Sequence, residues 1–352
     1  MHVLVTGASG NVGTAVVRAL SADPHVERVV GVARRRPRPG RGLDGPGAPQ
    51  WIEADVGEDD LRPHLAGIDT LVHLAWLFQP SHRPEVTWRA NAVGSARVFD
   101  AAQDVGLAAV VYASSVGAYS PAPGEFVTES WPTHSLPHAA YGREKAYVER
   151  ALDTFESRNP ETRVVRLRPG FIFQRASATE QRRLFAGPFL PARLVERGRL
   201  PVLPLPPGLR FQAVHADDVA EAYHLAVVGD ARGAFNIAAE PVIDGRVLAE
   251  TLGTRAIEVP RPLVRTALAA AWRAHLSPTD PALLDLVLEL PLLDTTRARA
   301  ELGWVPRRSG VEALREVVAG MASGAGGDTP PLEADSLGGR LDEVAGGVGE
   351  RP

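Results

Sequence analysis

The chain contains no cysteine among its 352 residues, two methionines and a single lysine. Without thiols there is neither a disulfide framework nor a thiolate metal site, and a reducing compartment fits. A formal net charge of −4 supplies no basic field for nucleic acid. No uninterrupted apolar stretch reaches the ~18 residues of a membrane span. Even 263–276 is broken by Arg265 and Arg273. A β-branched run starting at His2 leaves no room for a signal peptide, so the expected location is the cytoplasm, with no membrane and no nucleic-acid partner. The length suggests about two domains at ~150 residues each.

The lone lysine, Lys145, stands in Tyr141-Gly142-Arg143-Glu144-Lys145, while every other strongly basic residue is arginine. That isolation points to chemistry a guanidinium cannot do. A lysine placed at random would fall four residues after one of the five tyrosines in about one sequence of seventy. Residues Ala139 to Phe155 read as a helix, on which positions four apart share a face, so the phenol and the ammonium converge. A free phenol titrates near ~10 and must fall several units to exchange protons near neutrality. A fixed neighbouring cation is one way to lower it.

From its start the chain reads as strand, glycine turn, helix. His2 to Thr6 is β-branched, Gly7-Ala8-Ser9-Gly10-Asn11-Val12-Gly13 follows, and a helical pattern runs to Leu20. Gly7 permits the tight turn, Gly10 lets the backbone approach a pyrophosphate, and Gly13 lets the helix pack on the strand. A second strand, Arg28 to Ala33, ends in Arg34-Arg35-Arg36, where an NAD-specific fold places an acid for the ribose 2′-hydroxyl. Guanidinium groups there suit the 2′-phosphate of NADP(H), with NAD(H) as the lesser option. The third strand is Trp51 to Ala54, with Asp55 and Val56 at its C-terminal end, where Asp55 can accept from an adenine amino group. Leu71 to Ala75 is the fourth strand. His73 within it reads as a core histidine. Pro84 to Gly106, containing Asn91-Ala-Val-Gly94, is a long helix, and Ala108 to Ala113 is a fifth strand ending at Ser114-Ser115. His215, Asp217 and Asp218 read as a helix cap and not as a metal site.

The order Gly7 to Gly13, Asp55, His73-Leu74-Ala75, Asn91 to Gly94, Ser115 and Tyr141-x-x-x-Lys145 resembles the extended short-chain dehydrogenase/reductases, the NAD(P)-dependent epimerase/dehydratase family. Arg168-Pro169-Gly170, His215 to Val219, Phe235 to Ala238 and Glu301 to Pro306 extend the resemblance over roughly residues 1 to 320. It implies a catalytic set of Ser115, Tyr141 and Lys145, with Asn91 in support. Ser115 would polarise the substrate carbonyl, Tyr141 would exchange the proton, and Lys145 would lower the tyrosine pKa while bonding the nicotinamide ribose. Gly7, Ser9, Gly10, Asn11, Val12, Gly13, Arg34, Arg35, Asp55, Val56, Leu74, Ala75, Tyr141, Lys145 and Pro169 would meet the cofactor. The resemblance also implies a homodimer through the helices Pro84 to Gly106 and Ala139 to Phe155. Val98, Ala101, Ala102 and Ala151 are apolar residues that could extend beyond the core stripe.

The expected fold is α/β: a doubly wound parallel Rossmann sheet of about seven strands, ordered 3-2-1-4-5-6-7, with a smaller C-terminal substrate lobe. Residues 1–170 and 210–240 form the dinucleotide domain, 171–209 and 241–322 the lobe, and 323–352, rich in Gly and Pro, a disordered tail. The expected function is NADP(H)-dependent hydride transfer at a secondary alcohol or carbonyl. After Arg-Pro-Gly, sugar-nucleotide members carry an Asn and a Tyr-Gly-Pro run, but here Phe171 and Phe173 stand. With Trp76, Phe78 and Ser115 they point to an apolar or moderately polar small molecule. A nucleotide-sugar epimerase or dehydratase is the alternative. A non-catalytic NADP-sensing protein is disfavoured by the presence of Tyr141 and Lys145.

Overall fold

The computed structural model describes residues 1–38, 43 and 48–350. Seven parallel strands form its central sheet: β1 (His2–Thr6), β2 (Arg28–Ala33), β3 (Gln50–Glu53), β4 (Thr70–His73), β5 (Ala109–Ala113), β6 (Arg163–Pro169) and β7 (Gly233–Ile237). Their order across the sheet is β3-β2-β1-β4-β5-β6-β7, as expected. Successive residues of a strand face opposite sides, and the two cores divide accordingly. Val3, Val5, Val72, Val111 and Val165 pack on one side with α1 (Asn11–Ser21). Leu4, Leu71, Val110 and Val164 pack on the other with α2 (Gly94–Val105) and α3 (Ala140–Arg158). A fourth helix, α4 (Ala216–Val228), lies beside α1 on the first side, through Val219, Tyr223 and Val227. Near-continuous Val and Leu along the strands is what burial on both faces demands.

The long second helix is not uniform. It is α-helical over Pro84–Trp88, widens into a π-helical turn at Arg89–Val93, and resumes as α2, which ends on Gly106 in the left-handed conformation (φ 68°). Such a wide turn inserts a residue and re-aims its side chains.

The lobe carries short strand pairs, Phe171–Phe173 with Ala213–His215 and Val202–Leu205 with Arg255–Glu258, and the apolar helix α5 (Pro281–Glu289). Two expectations need correction. The lobe is not continuous over 241–322: Leu292–Leu293 pairs with Phe126–Val127, and Ala298, Leu302 and Trp304 join the main core. There the Trp304 indole donates to Asp218 O at 2.7 Å. The tail is not disordered. Thr329 and Leu332 are buried, the Thr329 hydroxyl donates to Ser9 O at 2.6 Å, and Arg182 pairs with Glu343 and Asp335. Ser81 N donates to Gly349 O at 2.8 Å. Mean composition is poor in apolar groups, yet a few anchors fitted to a formed surface hold the segment. Its last two positions, 351 and 352, lie outside the described residues.

Candidate active site

The sheet order reverses between β1 and β4, and in open α/β sheets the crevice beyond the strand ends at that point takes ligands. Gly7 leaves β1 with φ 68°. A Cβ there would lie 2.7 Å from Ala75 N, and one on Gly13 would lie 2.2 Å from Gly7 O. Both positions therefore need glycine for close approach. Gly10 differs: its Cβ would meet only Gly7 O, at 3.4 Å. It caps α1 without a side-chain hydrogen bond, so the helix N-terminus offers its first amides and its positive dipole end to the crevice.

One cavity of about 570 Å³ opens there. Every residue expected to meet the cofactor lines it, from Gly7 through Asp55 to Pro169, as do Ser115, Asn91, Trp76, Phe78, Phe171 and Phe173. Arg34 and Arg35 reach its rim at the end of β2, exposed. The donor set fits a dinucleotide: unpaired helix amides for a pyrophosphate, arginines beyond β2, and Asp55 after β3. Lining residues missed in the sequence include Leu283, Leu286, Val287 and Leu290 of α5 and its C-terminal end, Glu180, and Pro331 from the tail. The apolar run 283–293 was the available signal, but it carries no mark of what it faces.

Ser115 Oγ accepts from Gly117 N at 3.0 Å, opening a short 3₁₀ turn, and it lies near enough to the Tyr141 phenol to favour its ionised form. The glycines of this region permit close packing. A Cβ on Gly117 would lie 2.8 Å from the Tyr141 ring, and one on Gly142 would lie 2.0 Å from Ser135 Oγ. Beneath the turn, Arg168 makes a bidentate pair with Glu149 (2.8 and 3.0 Å) and Ser114 Oγ donates to the same carboxylate. Arg166 adds a further bond. This buried network ties the C-terminal ends of β5 and β6 to α3.

Lys145 Nζ donates to Ala113 O at 2.7 Å and lies 3.4 Å from the Trp76 ring centroid. Phe78 stacks on Tyr141 with centroids 4.8 Å apart. Burial pushes the Tyr141 phenol up to about 12, with the neighbouring Ser115 hydroxyl acting in the opposite direction. Burial pushes the Lys145 ammonium well below its ordinary value, with Glu144 and Glu149 opposing. The expectation that Lys145 lowers Tyr141 is therefore not what this geometry shows. Burial governs both groups, and the ammonium lies over Trp76, 6.0 Å from the Tyr141 ring centroid. Asn91 is spent on scaffolding: its amide binds Leu77 N and O and the Glu144 carboxylate.

His73 is a core residue, held neutral between Thr6 Oγ1 (2.7 Å) and Ser95 Oγ (2.9 Å), with burial lowering it to about 3. His215 caps α4, accepting from Asp217 N, while Asp218 accepts from Arg307 N and Arg308 N. Among the described residues no His, Asp and Glu group suits a metal, and no helix is long and apolar enough to cross a membrane.

Residues 3–238 match the NAD dependent epimerase/dehydratase family. The chain belongs to that family. It is thus an enzyme of the short-chain dehydrogenase superfamily, acting as an NAD(P)-dependent oxidoreductase or epimerase. A ketoreductase of Stigmatella aurantiaca acting on 4-hydroxy-2-methyl-3-oxo-4-farnesyl-3,4-dihydroquinoline-1-oxide is 27% identical over 337 residues, 90% of this chain and 96% of that one. An uncharacterized protein of Mycobacterium tuberculosis is 26% identical over 332 residues, 90% of this chain and 83% of its own. Among solved structures, MoeE5 in complex with UDP-glucose and NAD aligns with a TM-score of 0.67 at 23% identity, covering 92% of this chain and 99% of its own. UDP-glucose 4-epimerase of Thermotoga maritima, with UDP-glucose, gives 0.66 at 20% identity, with coverage of 92% and 99%. These likenesses establish the family fold.

Proposed function

We propose that the enzyme transfers hydride between NADP(H) and a secondary alcohol or carbonyl of an apolar or moderately polar small molecule. The observation that carries this reading is the apolar lining the cavity shares with Ser115 and Tyr141: Phe78, Phe171 and Phe173 together with Leu283, Leu286 and Leu290. An apolar wall offers a sugar or diphosphate no hydrogen bonds, and unpaired polar groups there would cost several kcal/mol. The Stigmatella ketoreductase, matched over nearly its whole length, has a farnesylated substrate, which agrees in chemistry. Glu180, on the same cavity, is lifted to about 7 by burial, with only Arg183 opposing. When ionised it would repel a substrate diphosphate.

When bound, the nicotinamide accepts or supplies the hydride. Ser115 Oγ would hydrogen-bond the substrate oxygen, and Tyr141 would give or take its proton. Lys145 would meet the nicotinamide ribose. Arg34 and Arg35, exposed at the rim of the cavity, would take the 2′-phosphate. A homodimer would use the helix Pro84–Val105 and α3. Val98, Ala101 and Ala102 prove to be core residues, but Val93 (43% exposed) and Tyr147 (45%) stand outside it on these helices.

The test pairs two measurements. Reduced cofactor should be consumed with hydrophobic aryl or terpenoid ketones. Calorimetry with UDP, dTDP and GDP sugars in the presence of NADP should show no binding. Micromolar binding of any of these sugars would overturn the apolar reading in favour of epimerase or dehydratase chemistry.

A further inference from the structure

Glu144 lies between Tyr141 and Lys145 in sequence and is 1% exposed. A buried carboxylate next to two catalytic candidates demands a role, because its desolvation must be offset by hydrogen bonds. Both of its oxygens are used: Thr87 Oγ1 donates at 2.6 Å to one, and Asn91 Nδ2 donates at 2.6 Å to the other. A carboxylate only accepts, so it fixes which way the Asn91 amide points. The same Asn91 nitrogen also donates to Leu77 O at 2.7 Å, and Asn91 Oδ1 accepts from Leu77 N at 2.7 Å. One side chain thus holds both backbone groups of Leu77, a residue beyond the end of β4 with no strand partner. The π-helical turn at Arg89–Val93 carries Asn91.

The neighbours of Leu77 are the two aromatic residues that touch the catalytic pair. The Trp76 ring lies under the Lys145 ammonium at 3.4 Å, and the Phe78 ring stacks on Tyr141 at 4.8 Å. We infer that Glu144 is a positioning residue, which acts through Asn91 on the Trp76–Phe78 strip and so sets where Lys145 and Tyr141 lie. Trp76 takes part in the same device, holding the ammonium by its ring face.

The isolation of Lys145 supplies the probe. Protein grown on isotopically labelled lysine carries a single lysine side-chain signal. The Trp76 ring current should move its ε-methylene resonance upfield, and Trp76→Leu should abolish that shift and so assign it. Glu144→Leu and Asn91→Ala should each remove the upfield shift, and the double variant should go no further than either single one, because both act on one strip. Glu144→Gln should keep it. Its amide oxygen can still accept from Asn91 while its NH₂ donates to Thr87 Oγ1, whose hydroxyl proton then turns to Pro84 O, 3.0 Å away. An unmoved resonance in folded Glu144→Leu would overturn the inference, as would loss of the shift in folded Glu144→Gln. If Glu144→Leu does not fold, an unmoved resonance in Asn91→Ala decides against it. No substrate enters the experiment, so its outcome stands apart from the reading of the reaction.

Discussion

The ammonium of Lys145 lies 3.4 Å from the centre of the Trp76 indole and 6.0 Å from that of the Tyr141 ring. The only lysine of the chain is thus seated on an aromatic face while bonding Ala113 O, and the phenol it was expected to activate stacks on Phe78. Burial raises the phenol's pKa and lowers the ammonium's, so each shift runs toward the neutral form.

Tyr141→Phe should lower turnover by about 10²-fold to 10⁴-fold, the usual value of a positioned proton donor, and leave the cofactor dissociation constant within a few-fold of the parent. Lys145→Arg should also be poor, because the planar guanidinium cannot occupy the compact seat between Trp76 and Ala113 O. Steady-state kinetics with a ketone identified by the screen, together with fluorescence titration of NADPH, checks both. Near-parental turnover in Tyr141→Phe would remove the phenol from the chemistry.

NADPH should bind more tightly than NADH by ~10-fold or more, since each charge-assisted bond to the 2′-phosphate is worth about 1.5 to 3 kcal/mol. Arg34→Ala and Arg35→Ala should shrink the difference without weakening NADH. Equal dissociation constants in the parent enzyme would place these arginines outside the site.

Burial opposes ionisation of Glu149, but its bonds to Arg168 and the charge of Arg166 outweigh it and hold the carboxyl at about 2, against 4.5 for a free glutamate. A depressed folded pKa means the stabilisation is complete above the unfolded value and is lost as pH falls through the folded one. The loss should therefore run from about pH 4.5 down to about 2. Glu149→Gln should unfold more easily at neutral pH by on the order of 3 kcal/mol, because it leaves Arg168 buried without its charge partner. Its melting temperature should also fall less than the parent's across that acid range, as thermal melts at stepped pH will show.

The tail makes a sharp expectation because it contradicts its composition. Leu332→Asp would put an unpaired charge into a site 1% exposed and should release the segment. Trypsin should then cleave at Arg340 well before the core is attacked, whereas the parent tail should resist. Equal cleavage rates would show that the segment is not anchored through Leu332.

Light scattering at micromolar concentration should give twice the chain mass, and Tyr147→Glu or Val93→Arg should return the protein to a monomer. The helices Pro84–Val105 and α3 carry these exposed side chains while facing the core through Val98, Phe99 and Leu152. A monomeric parent would end this expectation.

Local pattern alone determined much of this protein. Val-rich runs required strands buried on both faces, the spacing Gly7, Gly10, Gly13 marked the tight glycine turn, and Tyr141 and Lys145 shared a helix face, since each depends on residues a few positions apart. Only the tertiary structure decided what those residues meet. It seated Lys145 on Trp76, joined Glu144 to Leu77 through Asn91, brought α5 into the lining of the cavity, and laid Thr329 on Ser9. None of these pairs has a local period to announce it. Burial follows from the whole packed arrangement, and burial moved the Tyr141 and Lys145 pKa values away from what their spacing suggested.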